Sequence, residues 1–205
     1  MNKVKIFGTI RSRANRCVWA AEETGVPYEL VPIDIAKGDQ RSAEYMAINP
    51  NARVPALEDG ALRLYESLAI NLYLAKKAGG ELAPKDLAED AKMTMWALWT
   101  MTELEKHALD VLFHTALYPP DKRDPAAVAT ALAALERPMK VLDAALAANG
   151  HLVGGRFTMA DLNAAVVTMY LRGAPKEYHA KFPHVGAWVT AATQRAAYRK
   201  AMGGH

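Results

Sequence analysis

The chain has 205 residues, enough for one large domain or two small ones. Half of them are hydrophobic (51%) and 23% are charged, a balance that supports a packed core and excludes disorder as the ground state. Net charge is only +3, with 25 Lys and Arg dispersed among 22 Asp and Glu, so nucleic acid is not an expected partner.

The lone cysteine, Cys17, excludes an intrachain disulfide, any two- or four-cysteine zinc site and a CxxC dithiol centre. The common phosphate-loop, dinucleotide and zincin motifs are absent. The opening MNKVKIFG alternates like a strand and lacks the apolar core of a secretory signal. No run of about 18 apolar residues occurs, so no membrane partner is expected and the expected compartment is the cytoplasm. The composition is also lopsided. All six isoleucines lie at or before Ile70, and all six histidines at or after His107. Alanine falls 12 times in the first 80 residues and 27 times in the remaining 125. Isoleucine favours strands and alanine favours helices, so a strand-containing front and an all-helical back are expected.

In chain order, Lys3-Val-Lys-Ile-Phe7 alternates polar and apolar as a half-buried strand ended by Gly8. Ser12 is a candidate N-cap for a helix whose apolar stripe is Cys17, Val18, Ala20 and Ala21, stopped by Gly25. Tyr28 to Ile35 reads as a second strand, followed by a polar segment, Lys37 to Glu44. After the Asn49-Pro50-Asn51 turn, Val54–Glu58 and Ala61–Tyr65 form a hairpin across Asp59-Gly60. Glu66-Ser67 then opens an amphipathic helix closed by Gly79-Gly80. Helices follow over 89–117, 125–148, 158–171 and 183–202. The third begins with a capping box, Thr158-Met-Ala-Asp161, beside a staple residue, Phe157. The expected domains are 1–80, a linker 81–88 and a helical domain 89–205.

Five segments give this order a specific likeness: Lys5-Ile-Phe-Gly8 with the Ser12 loop; Asn49-Pro50; Arg53-Val-Pro-Ala-Leu-Glu-Asp-Gly60; Leu64-Tyr-Glu-Ser-Leu-Ala-Ile70; and Phe157-Thr-Met-Ala-Asp161. The sequence resembles the cytosolic glutathione transferases, and most closely their serine-type classes (theta, phi and bacterial relatives). The N-terminal tyrosine of other classes is missing, since the strand reads Ile6-Phe7-Gly8. The resemblance implies an α/β thioredoxin-like N-terminal domain (β-α-β-α-β-β-α) on an all-α C-terminal domain, assembled as a homodimer. It implies glutathione as co-substrate, no tightly bound cofactor, no metal, and a small electrophile as the second substrate. A peroxidase, dehalogenase or isomerase on the same fold, or a non-catalytic binding member, stays open.

The thiolate of glutathione is its reactive form, and a free thiol has a pKa of about 8.5. A hydroxyl donor and a helix N-terminus both favour the anion. The resemblance assigns that role to Ser12, with Thr9 as the rival hydroxyl. It assigns glutathione binding to Arg11, Gln40, Arg41, Arg53, the Val54-Pro55 backbone (a cis peptide bond in that fold), Glu66 and Ser67. Ile10, Glu103 and His107 are the expected acceptor-side residues. Arg13 and Arg16 read as a solvated basic face, and Cys17 as a packed core residue. Glu103, His107, Asp110 and His114, spaced 4, 3 and 4, share one helix face. Trp96 and Trp99, with Met93, Met95 and Met101, read as core and dimer contacts. No histidine occurs in the front half to act there as a base on the thiol.

Overall fold

A computed structural model describes residues 2–203. Met1, Gly204 and His205, which the expected domain ranges include, lie outside the described residues. The described chain divides into two compact units, residues 2–85 together with 194–203, and residues 86–193.

The first unit is built on β1 (Val4–Phe7), α1 (Ala14–Thr24), β2 (Tyr28–Val31), α2 (Ala43–Met46), β3 (Ala56–Asp59), β4 (Leu62–Tyr65) and α3 (Ser67–Ala78). Its four strands lie in the order β2-β1-β3-β4. β1 pairs parallel with β2, while the β1–β3 and β3–β4 pairs are antiparallel. Alternation along β1 sends Val4 and Ile6 to one face and Phe7 to the other. Phe7 packs with Ile33, Tyr45 and Ala56 on the α2 side. On the opposite face α1 and α3 pack together, and the fully buried Trp19, Leu57, Ile70 and Leu74 lie in this unit. β2 stops at Val31, short of the expected Ile35, because Pro32 lacks the N–H a ladder needs. The polar segment 37–44 holds a 3-10 turn, Asp39–Arg41, before α2.

The chain's last helix, α10 (Ala196–Gly203), belongs to this first unit. It packs on α1, with the Tyr198 ring edge-on to Trp19 at 4.9 Å. Arg195 grips Glu23 through two bonds of 2.6 and 2.8 Å, and Lys200 reaches Glu22 at 2.6 Å. One helix over 183–202 is therefore corrected to two, α9 (Pro183–Thr193) and α10.

The second unit comprises α4 (Leu87–Trp99), α5 (Lys106–Leu112), α6 (Pro125–Asn149), α7 (Met159–Thr168), α8 (Lys176–His179) and α9. The expected helix over 89–117 is not uniform. Its turns widen to π geometry at Thr100–Glu105 and again at Phe113–Leu117. α7 is buried along its whole length. Its capping box forms as expected, and Trp188 of α9 donates to Asp161 at 3.0 Å. Trp96 and Trp99 meet edge to face at 5.0 Å, with Trp96 and Met93 in the core.

Candidate functional site

The site in the first unit starts from a glycine. Gly8 follows β1 with φ +140°, and a Cβ there would stand 2.6 Å from the Cβ of Ala14. Only glycine allows the chain to fold back this tightly. The same notional Cβ would lie 3.1 Å from Ser12 Oγ and 3.5 Å from Val54 Cβ, so the hydroxyl sits beside the end of β1 and next to Val54.

α1 opens at Ala14 with Arg13 in the cap position, one residue later than expected. Ser12 still serves the helix start. Its Oγ accepts from the N–H groups of Ala14 and Thr9, each at 3.2 Å, and its O–H donates to the Thr9 carbonyl at 2.7 Å.

One turn further, Arg16 overturns the expectation of a solvated basic face. It is 1% exposed, and its Nη1 donates to Ser67 Oγ at 3.1 Å. Ser67 is the first residue of α3, so Arg16 brings a positive charge to a helix end whose first N–H groups have no partner within the helix. The positive end of the helix dipole lies there too. Both favour an anion. Cys17 is fully buried, as expected, with its Sγ 3.7 Å from the Ser67 carbonyl. Burial pushes its thiol well above the ordinary range, against the opposing pull of Arg16. Glu66, before α3, is exposed and holds φ +72° and ψ 106°. A non-glycine residue with positive φ is costly and is retained where its surroundings demand it.

The Val54–Pro55 bond is cis. The β1–β3 ladder begins at Phe7↔Ala56, which leaves the Val54 N–H and C=O ahead of the paired region. The peptide before it is fixed from α2 and its following turn. Tyr45 Oη and Asn49 Nδ2 both donate to the Arg53 carbonyl, at 2.6 and 2.7 Å. Burial pushes the Tyr45 phenol up to about 12, so it stays a donor at neutral pH. Arg11, Arg41 and Arg53 are exposed, and Ile10 is half-buried. Gln40 is buried, with its Nε2 towards the Ile35 carbonyl at 3.5 Å.

In the helical unit the four-residue stripe is half-buried throughout, and two π turns interrupt its helix. Glu103 accepts from Arg137 at 2.7 Å, and His114 Nδ1 accepts from the N–H of Asp124 at 3.0 Å. Among the described residues no group of three His, Cys, Asp or Glu is arranged to hold a metal ion.

Two residues with work at the site were missed from sequence. Arg16 lies four residues before Ala20 on a helix that is buried along most of its length, which was a usable signal. The Tyr45 clamp on Arg53 left no signal, because it depends on how α2 and its following turn fold back.

Residues 2–76 match the glutathione S-transferase N-terminal domain family and residues 106–196 its C-terminal domain family. The chain is 34% identical to glutathione S-transferase 1 of Zea mays, over 98% of this chain and 96% of that protein. It is 32% identical to glutathione S-transferase theta-1 of Bos taurus, over 90% and 80%. A solved theta-class glutathione S-transferase from Xanthomonas axonopodis pv. citri, with glutathione bound, superposes with a TM-score of 0.87 at 33% identity, covering 100% of this chain and 99% of that one. The maize enzyme I in complex with an atrazine glutathione conjugate gives 0.86 at 33% identity, covering 97% and 96%. A likeness this extensive, running through both units, places the chain in the glutathione S-transferase family.

Proposed function

We propose that this protein conjugates glutathione to small electrophiles, with Ser12 hydrogen-bonded to the thiolate. The observation that carries the reading is the position of the Ser12 hydroxyl, beside the end of β1 at Gly8 and the start of α1. Glutathione would lie extended along Val54, as one further strand would. Its γ-glutamyl carboxylate would meet the Ser67 hydroxyl and the α3 N-terminus, with Arg16 behind them, and Glu66 would meet its ammonium. Arg41 and Arg53 suit the glycyl carboxylate, and Arg11 adds positive potential at the Ser12 turn. Gln40 is turned inward and serves the 3-10 turn more than the ligand.

The thiol proton leaves to solvent. The thiolate lone pair then forms the C–S bond, and an aryl halide's halide departs with its bonding pair. On the first unit Ile10, and on the helical unit Glu103 and His107, are proposed to meet the acceptor. The homodimer proposal draws support from α4, whose Leu87, Met95 and Leu98 are 84%, 52% and 63% exposed on one helical face. A single buried cysteine with no disulfide supports a cytoplasmic setting. Among the described residues no helix is long and apolar enough to cross a membrane.

Ser12→Ala tests the reading. Conjugation of an activated aryl halide should fall by about 10²–10³ in kcat, while the glutathione dissociation constant changes little. Near-full activity in that variant would move the role to Thr9.

A further inference from the structure

The first turns of α6 carry two apolar side chains, Val128 and Leu132, four residues apart on one face. A helix normally buries such a face against a neighbour. Here both residues are only half-buried, and they line an open groove of about 370 Å³. Pro125 and Pro175 are further apolar walls, and His114 and Thr115 are the groove's two polar side chains. The groove lies wholly within the helical unit. None of the residues assigned above to glutathione or to the acceptor lines it.

Local structure fixes the shape of this groove. The π turn at Phe113–Leu117 sets His114 and Thr115 in its wall. Thr115 lies against Gly173, the last residue of a 3-10 turn at Met169–Gly173. A Cβ on Gly173 would stand 2.6 Å from the Thr115 Cβ, so this close approach admits only glycine. The connection into α6 is strapped down. Arg123 donates to the Ala116 and Tyr118 carbonyls at 3.0 and 2.8 Å, and Asp124 accepts from the Ala126 N–H at 2.8 Å. Sites for small molecules are mostly preformed in this way, and their volumes start at about 300 Å³.

The groove's hydrogen-bonding groups define what fits. Thr115 spends its hydroxyl proton on the Val111 carbonyl at 2.7 Å. His114 Nδ1 accepts from the Asp124 N–H at 3.0 Å, which places the proton of the neutral ring on Nε2. Among the lining residues, that Nε2–H is the one side-chain donor left unspent. The nearby charges of Arg123 and Asp124 are already engaged, so an ion would lose hydration here without a partner. We propose that this groove is a second small-molecule site, for a neutral single-ring molecule bearing one hydrogen-bond acceptor, such as an aryl ketone. The ring lies on Val128 and Leu132, and the carbonyl accepts from His114 Nε2. The site fills whether or not glutathione is bound, and it stands apart from the role given to Ser12.

Two fluorinated probes of similar shape test this by fluorine NMR: 4′-fluoroacetophenone, which has the carbonyl, and 1-ethyl-4-fluorobenzene, which lacks it. The unmodified protein should bind the ketone, and saturating S-hexylglutathione should leave that dissociation constant within about twofold. Displacement by S-hexylglutathione would put the probe at the conjugation site and overturn the proposal, as would no binding of the ketone at all. Val128→Trp fills the groove and should weaken both probes by more than about tenfold. Unchanged binding in that variant places the probe elsewhere, and the proposal falls. His114→Phe keeps a ring and removes the donor. It should weaken the ketone about fivefold, the loss expected for one neutral hydrogen bond, and leave the hydrocarbon within about twofold. If both probes weaken together, or neither does, His114 is not the donor and the assignment is wrong.

Discussion

The buried polar groups around Asp161 and those around Ser67 are completed in different ways. In the helical unit the groups around Asp161 close on one another. Asp161, 0% exposed, accepts from the Thr158 N–H and hydroxyl at 3.0 Å, from the Leu152 N–H at 3.1 Å and from the Trp188 ring N–H at 3.0 Å. Its carboxylate ties the start of α7 to α9 and to the loop before α7, and its oxygens are fully used. In the first unit polar groups converge at the start of α3 and before β3. Arg16 and the α3 N-terminus meet at Ser67, and the Val54 backbone lies ahead of its ladder. A closed network specifies a fold, whereas an open one that survives in a folded protein points to a ligand.

Breaking the closed network should give the largest effect. Asp161→Ala leaves several buried donors without an acceptor and should cost about 4 kcal/mol or more of unfolding free energy. Denaturant unfolding measures it, and glutathione affinity below the transition should be untouched. If affinity falls with stability, the separation between closed and open networks is lost. Glu23→Gln comes next. It weakens the two-bond grip of Arg195 and should cost about 2 kcal/mol, again read by unfolding. That result would show that part of the first unit is closed in the same manner as Asp161. Arg16→Met keeps bulk and removes the donor to Ser67. Glutathione should bind about tenfold more weakly by calorimetry, the loss expected for one bond to a charged group. An unchanged affinity would assign Arg16 to the core alone.

The smallest effect is set by pH. Lys77 and Tyr73 both donate to Asp59, at 2.5 Å each, and hold its carboxyl below the usual aspartate range. A folded-state value below the unfolded one means the contribution is present above the unfolded pKa, about 4, and fades as pH falls through the lower folded value. Unfolding midpoints measured down that acid limb should decline, and Asp59→Asn should flatten the decline.

Much of the first unit was legible because its signals are local. The Val54-Pro55 pair and the Glu66-Ser67 helix start act through immediate neighbours and lie where the sequence indicated, while the hairpin turn falls one residue later than expected, at Gly60-Ala61, with Asp59 paired to Leu62. The capping box at Thr158 was readable for the same reason. What escaped depends on partners far along the chain. The burial of Arg16 is compensated by Ser67, 51 positions away. The return of α10 rests on Arg195 and Glu23, 172 apart. The π turns escaped for another reason. The residues of 100–105 and 113–117 suit an ordinary helix equally well, and the hydrophobic pattern does not resolve one extra residue per turn. Among the proposed site residues, the exposed arginines and Glu66 could be named from their motifs, but the inward turn of Gln40 follows from packing that no motif records.

The return of α10 also bears on how the protein is made. The helical unit is one unbroken stretch of chain, while the sheet-bearing unit holds both the early and the late residues. A ribosome adds about 5–20 residues each second, so α1 waits on the order of ten seconds between leaving the tunnel and meeting the helix that covers it. During that interval the side of α1 bearing Trp19 and Glu23 is uncovered, and the later unit can finish folding before the earlier one. A chain that stops short of Arg195 would never complete the unit with which it began.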